Sequence, residues 1–77
     1  MKRELKALLN TLAQNIRRLR KAAGLSQEGL AEITGLHRTY VGAVERAERN
    51  VTLATLCAFA RALGSTVPDL LTVKGKK

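Results

Sequence analysis

Apolar residues recur every three or four positions along most of this chain, which is the spacing of one face of an α-helix. The first such run predicts helix one over residues 2 to 23, followed by Gly24, a residue that favours the left-handed turn at a helix end. Most charged residues of the run lie off this face, so one side of the helix is expected to pack against a core. The apolar face consists of Leu5, Leu8, Leu9, Leu12, Ile16 and Leu19.

Two short helical patterns come next, and they are joined at Gly35. Ser26 is a good N-cap for helix two, whereas His37, before helix three, is a weak one. Helix three is expected to run from about residue 38 to residue 47. The residues of these two helices and their turn that are expected to face inward are Leu30, Ala31, Ile33, Leu36, Val41 and Val44.

Two further helices are predicted in the last third of the chain. Thr52 is placed to cap helix four, which Gly64 ends, and Thr66 with Asp69 three residues later is placed to cap a short helix five. Pro68 is tolerated there because first-turn amides have no partner within a helix. The apolar residues of the two helices are Leu53, Leu56, Phe59, Ala60, Leu63, Val67, Leu70 and Leu71. Since the sequence has no alternating strand pattern, the fold is predicted to be all-α.

Chain length and charge narrow the class of protein. The 77 residues predict one domain over 1–77, with a disordered tail over 73–77. Lys and Arg number 14 against 6 Asp and Glu, which gives a formal net charge of +8. Such an imbalance favours a polyanionic partner, and nucleic acid is the commonest one for a small domain, ahead of an anionic membrane. A core this small also gains from dimerisation, which buries further apolar surface.

Catalytic and metal sites are not expected. The single cysteine, Cys57, occupies an apolar helical position and is expected to be a small core residue of a protein in the reducing cytoplasm. His37 has no second histidine at ligand spacing, and no nucleophile–base pair or phosphate-binding loop occurs. No apolar run is long enough for a membrane span or a signal peptide. The sequence therefore predicts a cytoplasmic protein that is not an enzyme and uses no cofactor, metal ion or small-molecule ligand.

Helices two and three have the spacing of a DNA-binding helix-turn-helix. Two helices that cross steeply need a small residue where they touch, which Ala31 supplies. They also need a residue that adopts positive φ in the turn, which Gly35 supplies. Apolar anchors for both helices are present at Leu30, Leu36, Val41 and Val44. An ordinary helical hairpin with a glycine turn is the alternative, but charge, length and spacing agree independently on the DNA-binding motif.

From Ile16 to Leu71 the sequence resembles the phage-repressor-like helix-turn-helix family, also called Cro-type or XRE. The segments LSQEGLA, RTYV and VERAERN are most similar to the controller proteins of restriction–modification systems. The resemblance implies a compact five-helix lambda-repressor-like domain with its helix-turn-helix over about residues 27–47. It also implies a transcriptional regulator that binds double-stranded DNA as a homodimer and controls its own expression, and it leaves RNA polymerase open as a further partner.

Three positions depart from the family pattern. Gly42 stands where the family often has Ser, Ala47 where it often has Gly, and His37 where Ser, Thr or Asp is usual. Any contact that the family makes through a side chain at position 42 is therefore lost in this chain.

The N-terminal end of helix three is expected to enter the major groove. Arg can donate two hydrogen bonds to guanine, and Thr can bond a base or touch a thymine methyl. The resemblance implies that Arg38 and Thr39 read bases and that Tyr40 bonds either a base or a phosphate. Ala43, with Gly42, is expected on the outer side of the helix, where the two either let the backbone approach the bases or are tolerated surface residues.

Other side chains are expected to bind the DNA backbone. Gln27 opens helix two, whose free amides suit a phosphate, and the family commonly uses this Gln for such a contact. Arg46, Arg49 and Asn50 follow helix three and should meet the flanking phosphates, while Arg17 either joins them or keeps the domain soluble. These contacts set affinity and register rather than sequence choice.

Two further expectations concern the architecture. The family often joins Arg20 and Glu45 in a salt bridge between helices one and three. The dimer interface is expected on helices four and five, because their apolar residues are more numerous than one small core is expected to absorb. The residues chosen for it are Phe59, Val67, Leu70 and Leu71, with helix one as the other location. A two-fold dimer implies a palindromic operator with half-site centres about 10 bp, or a multiple of that, apart.

A second hypothesis is a protein-interaction module, such as an antitoxin-type member of the same family. A long partner-wrapping tail after Leu71 would favour it, and this chain lacks one. Protein partners recovered without any DNA binding would distinguish the two hypotheses.

Overall fold

The computed structural model describes residues 2–74. They form five α-helices and, within that range, no strand, which confirms the predicted all-α fold. The helices are α1 (Lys2–Ala22), α2 (Gln27–Thr34), α3 (Arg38–Glu45), α4 (Leu53–Leu63) and α5 (Val67–Leu70). Of the tail predicted to be disordered, residues 73 and 74 lie outside the helices, and residues 75–77 lie outside the described residues. Among the described residues, no helix is both long enough and apolar enough to cross a membrane.

The helix starts are set by the capping residues that the sequence predicts. The hydroxyls of Ser26, Thr52 and Thr66 each accept a hydrogen bond from the amide three residues later, at 2.9–3.1 Å. His37, the weak candidate, makes no such side-chain bond. Gly35 ends α2 with a φ of 75°, in the left-handed region that glycine adopts without strain. These local signals explain why the element order is readable from the sequence alone.

Helix three is shorter than the sequence pattern predicts. It ends at Glu45 rather than near residue 47, because Ala47 has a φ of 59°. Just beyond it, the amide of Glu48 closes the turn on the carbonyl of Ala43 at 2.9 Å. A left-handed conformation costs an L-residue roughly 1–2 kcal/mol, and glycine avoids that penalty. The glycine that the family often has at this position therefore fits the backbone better than this alanine does.

The core lies between α1 and the later helices: α1 packs on α3, α4 and α5, while α2 packs on α3 and α4. Its largest fully buried apolar side chains are Phe59, Leu12, Ile16, Leu30, Leu70, Val41 and Val44. Phe59 and Leu70 are both 0 % exposed, so their expected place in a dimer interface is wrong. The two side chains have no surface left for a partner because α1, α4 and α5 pack against one another around them within one chain.

Several residues that the pattern places in the core instead face outward. Leu5 is 42 % exposed and Leu8 46 %, and Ile33 in α2 is 56 % exposed. Cys57, expected to be a core residue, is exposed as well. The helical period identifies a face of a helix, whereas the positions of the neighbouring helices decide how much of that face is covered.

Candidate nucleic-acid interface

The turn between α2 and α3, residues 35–37, is closed on the end of α2. The amides of Gly35 and Leu36 both donate to the carbonyl of Ala31, at 2.9 and 3.1 Å. Ala31 is only 6 % exposed, and Leu36 packs against the core. The small residue and the glycine therefore perform the roles that the helix-turn-helix spacing predicts, and they present the start of α3 at the surface.

The first turn of α3 exposes polar side chains on a helix whose other side is buried. Arg38 and Thr39 are exposed, whereas Val41 is 0 % and Val44 1 % exposed. His37, just before the helix, is exposed as well. No group of three or more His, Cys, Asp or Glu residues among residues 2–74 is placed to hold a metal ion. This end of α3 is thus rigidly anchored and open to a partner.

Tyr40 links α3 to the loop that follows it. Its hydroxyl donates a hydrogen bond to the backbone carbonyl of Asn50 at 3.0 Å. The guanidinium carbon of Arg49 lies 5.4 Å from the centroid of the Tyr40 ring, within cation–π range. Arg49 and Asn50 are both exposed. Tyr40 thus contacts both residues expected at the flanking phosphates, Asn50 through its hydroxyl and Arg49 through its ring.

Glu45 is a buried carboxylate at the end of α3 and joins three helices. Arg20 of α1 donates from Nε to Oε2 at 2.6 Å and from Nη2 to Oε1 at 3.0 Å. Gln27 of α2 donates from Nε2 to Oε1 at 3.0 Å, and Arg17 donates from Nη1 to the Glu45 carbonyl. The side chains of Glu45 and Arg20 are only 2 % and 12 % exposed. Both carboxylate oxygens are therefore satisfied, and a buried charge is paired.

This network restricts two of the side chains that the sequence assigns to phosphates. Gln27 is half-buried, and its amide nitrogen carries two hydrogens, so one N–H is left after the bond to Glu45. Arg17 is half-buried, with part of its guanidinium committed to the end of α3. Both side chains are held in place rather than freely solvated.

Ala43 and Gly42 are not on the outer side of α3, and the expectation that they are is wrong. Ala43 is 8 % exposed, and Gly42 is buried. A Cβ atom on Gly42 would lie 3.2 Å from Nη1 of Arg46 and 3.4 Å from Oε1 of Gln27. Neighbouring side chains therefore cover this part of the helix, and the methyl group of Ala43 has little surface to offer a base.

Arg46 lies just after α3 and is paired at the surface. Its Nε is 3.1 Å from Oε1 of Glu48, and both side chains are 58 % exposed. Exposed ion pairs of this kind contribute roughly 0–1 kcal/mol. A phosphate can therefore compete with Glu48 for the guanidinium at small cost.

An apolar groove of about 330 Å³ lies outside the helix-turn-helix. The start of α1, the loop before α4, α4 itself and the residue after α5 line it. Its lining residues are Leu5, Leu8, Leu9, Leu12, Asn50, Val51, Leu56 and Leu71. The helical period marks the leucines of α1 as apolar but gives no sign that part of this face stays open. The only sign in the sequence that part of this face stays open is its length, because the apolar face of α1 continues from Leu12 back to Leu5.

Comparisons with known proteins agree with this geometry. A helix-turn-helix family model matches residues 16–70. The control protein C.SmaI of Serratia marcescens is 62 % identical over 66 residues, which are 86 % of this chain and 79 % of that protein. The control protein C.BamHI of Bacillus amyloliquefaciens is 42 % identical over 59 residues, which are 75 % and 73 % of the two chains.

The solved structures agree as well. The crystal structure of the restriction–modification controller protein C.AhdI from Aeromonas hydrophila matches with a TM-score of 0.77 and 48 % identity, over 80 % of this chain and 94 % of that one. The family match begins in α1, ends with α5 and includes the whole helix-turn-helix. The chain therefore belongs to the helix-turn-helix family of the phage-repressor-like (XRE) type, and restriction–modification control proteins are among its relatives.

Proposed function

We propose that this chain is a sequence-specific transcriptional regulator that binds double-stranded DNA as a homodimer on a palindromic operator. The observation that carries the proposal is the exposed start of α3, where Arg38 and Thr39 face solvent while Val41 and Val44 anchor the helix. Such a helix end can enter the major groove without rearrangement of the domain. The net charge of +8 supports the same partner, since it attracts a polyanion at long range.

The proposed roles of the side chains follow from their surroundings. Arg38 donates two hydrogen bonds to a guanine, and Thr39 contacts a neighbouring base. Arg46 and Arg49 bind phosphates on the flanking backbone, because both are exposed and lie beyond the end of α3. Asn50 joins them at the same flank.

Further phosphate contacts are proposed at the start of α2. Gln27 offers its second amide N–H, and the positive N-terminal end of α2 favours the same phosphate. Arg17 supports this contact indirectly, because it binds the backbone carbonyl of Glu45, the residue whose side chain holds Gln27. Tyr40 acts indirectly: its hydroxyl is bonded to the carbonyl of Asn50 and so holds the loop after α3 in position.

A second copy of the chain is proposed to cover the apolar groove. Leu5 and Leu8 are nearly half exposed on its rim, and Leu71 is half-buried within it. Asn50 lines the groove and also accepts the hydrogen bond from Tyr40 of α3. The proposed two-fold axis lies at the groove and has both recognition helices on the same side of the dimer, as a palindrome requires.

The regulated locus is proposed to be a restriction–modification system that includes the chain's own gene. The support is the relatives: C.SmaI and C.BamHI are control proteins, and C.AhdI is a restriction–modification controller. Operator occupancy then depends on protein concentration through the monomer–dimer equilibrium, since only the dimer binds both half-sites at once.

Selection of bound DNA from a random pool tests the proposal. The full chain is expected to enrich palindromic sequences whose half-site centres lie about 10 bp, or a multiple of that, apart. The Arg38→Ala variant, selected in parallel, should lose the preference at one base pair of each half-site. No enrichment, or enrichment of sequences without two-fold symmetry, would contradict the proposal.

A further inference from the structure

Gly42 lies in the middle of α3, where a glycine has no conformational reason to be. Its φ is not positive, unlike those of Gly24, Gly35 and Gly64, so no turn requires it. Glycine also disfavours a helix interior relative to alanine. Since Gly42 is buried, it does not bring the backbone close to the bases. The absence of a side chain at this position must therefore serve something that lies over it.

Two side chains from different parts of the motif meet over Gly42. Nη1 of Arg46 lies 3.2 Å, and Oε1 of Gln27 3.4 Å, from the position that a Cβ atom would occupy. Each side chain is held by its own acidic partner. Gln27 donates to Glu45 at 3.0 Å, and Arg46 donates to Glu48 at 3.1 Å. The first residue of α2 and the residue that caps α3 thus converge on one face of the helix.

We infer that Gly42 is a positioning residue for DNA-backbone binding: its lack of a side chain lets Gln27 and Arg46 lie together across α3, aimed at phosphate oxygens. The inference rests on the proposed function, in which both side chains donate to phosphates. The remaining amide N–H of Gln27 and the guanidinium of Arg46 are both donors, and Arg46 adds the positive charge.

A methyl group at position 42 would displace the guanidinium of Arg46 and leave the fold intact. The 3.2 Å contact with Nη1 of Arg46 is tighter than ordinary van der Waals contact, so this guanidinium has to give way, whereas the 3.4 Å contact with Oε1 of Gln27 lies at the edge of ordinary contact. The guanidinium is the end of a flexible, exposed side chain and can swing aside, while Gln27 keeps its bond to Glu45. Stability and DNA affinity should therefore respond to the change in opposite directions.

The test is the Gly42→Ala variant, compared with the wild type on DNA that the wild-type protein selects from a random pool. The melting temperature is expected to stay equal or to rise, because alanine favours the helix. For each bound subunit, affinity should fall about tenfold on selected and random DNA alike, the effect of losing one hydrogen bond to a charged group. The slope of log affinity against log salt should become shallower by about 0.9 for each bound subunit, which is the contribution of one phosphate contact.

A double-mutant cycle separates positioning from any other effect of the alanine. In a protein that already carries Gln27→Ala and Arg46→Ala, adding Gly42→Ala should leave the affinity unchanged, since no donors remain to be displaced. A further loss of affinity in that background would overturn the inference. So would a lower melting temperature of the single variant, because the guanidinium would then not be yielding.

The inference and the proposed function fail in different ways. A wild-type protein that enriches no DNA contradicts the proposed function itself. A wild type that binds selected DNA, with a Gly42→Ala variant of equal affinity and equal salt slope, overturns the positioning role alone.

Discussion

The side chain of Asn15 donates a hydrogen bond from Nδ2 to the backbone carbonyl of Leu70 at 2.8 Å. The same nitrogen lies 2.9 Å from the carbonyl of Thr72, and Oδ1 accepts a bond from Arg18 at 3.2 Å. Asn15 is 3 % and Leu70 0 % exposed. A buried amide of α1 therefore satisfies carbonyls at the end of α5, a helix too short to satisfy them within itself.

Replacing Asn15 with Ala should destabilise the domain. The buried carbonyls would lose their donor, which lowers the free energy of unfolding by about 1–3 kcal/mol. Denaturant titration of the two proteins measures the difference. The neighbouring Gln14 is exposed, so Gln14→Ala should change stability by less than about 0.5 kcal/mol. Equal stability of Asn15→Ala and the control would show that water replaces the amide without loss.

Removing one partner of the Arg20–Glu45 pair should be strongly destabilising. Glu45→Ala leaves the guanidinium of Arg20, only 12 % exposed, without its carboxylate, for a loss of about 3–5 kcal/mol. Arg20→Ala should cost a similar amount, and the double variant less than the sum of the two. Thermal unfolding of all four proteins tests this expectation. Strictly additive losses would mean that the two side chains contribute independently.

Ala47→Gly should stabilise the chain. Ala47 has a φ of 59°, and glycine adopts this conformation without the penalty of roughly 1–2 kcal/mol that alanine carries. Because glycine is also more flexible when unfolded, the net gain should be about 1 kcal/mol or less. As a control, Ala7→Gly changes an exposed position inside α1 and should lower stability by about 1 kcal/mol. An Ala47→Gly variant less stable than the wild type would show that the backbone at Ala47 is not strained.

Arg38→Ala should remove discrimination at one base pair per half-site, with a cost of about 1–3 kcal/mol per contact. Melting should be almost unchanged, because the side chain is exposed. Arg49→Ala is the contrasting variant. It should weaken binding to all sequences alike and flatten the salt dependence. Binding titrations on operator and random DNA at several salt concentrations compare the two. Uniform weakening by Arg38→Ala would assign that arginine to phosphate only.

Leu8→Glu should give a folded monomer with greatly reduced operator affinity. Leu8 is 46 % exposed on the groove, so a charge there is tolerated in one chain and repels the proposed second copy. Ile33→Glu places the same charge at an apolar residue that is 56 % exposed and outside the groove lining, and this variant should stay dimeric. Sedimentation measures the oligomeric state. A dimeric Leu8→Glu variant would place the interface elsewhere.

Leu70→Glu should behave differently from Leu8→Glu. The sequence pattern assigns Leu70 to the dimer interface, where a charge would give a folded monomer, whereas its 0 % exposure shows that the charge would enter the core. The domain should then unfold rather than dissociate, because a buried unpaired charge is far too costly.

Local signals made most of the architecture predictable. Ser26 caps α2 and Gly35 ends it through atoms within a few residues of each other, so the sequence decides both features. The same holds for the small Ala31 in the helix-turn-helix, whose role depends on spacing along two adjacent helices. Ala47 shows the limit of such reasoning, since its positive φ ends α3 earlier than the apolar pattern indicates.

What the sequence by itself determined was therefore the helices, their caps and the turn that presents Arg38 and Thr39. Only the tertiary structure decided which apolar residues are covered. The helical period defines which residues share a face, whereas the other helices determine how much of that face is buried. For that reason Leu70 is in the core while Leu8 is on the surface. The contact of Gln27 with Gly42 and the bond from Asn15 to Leu70 join residues far apart in the chain. Contacts of that kind cannot be recognised from the spacing of residues in the sequence, since they exist only once the helices have packed.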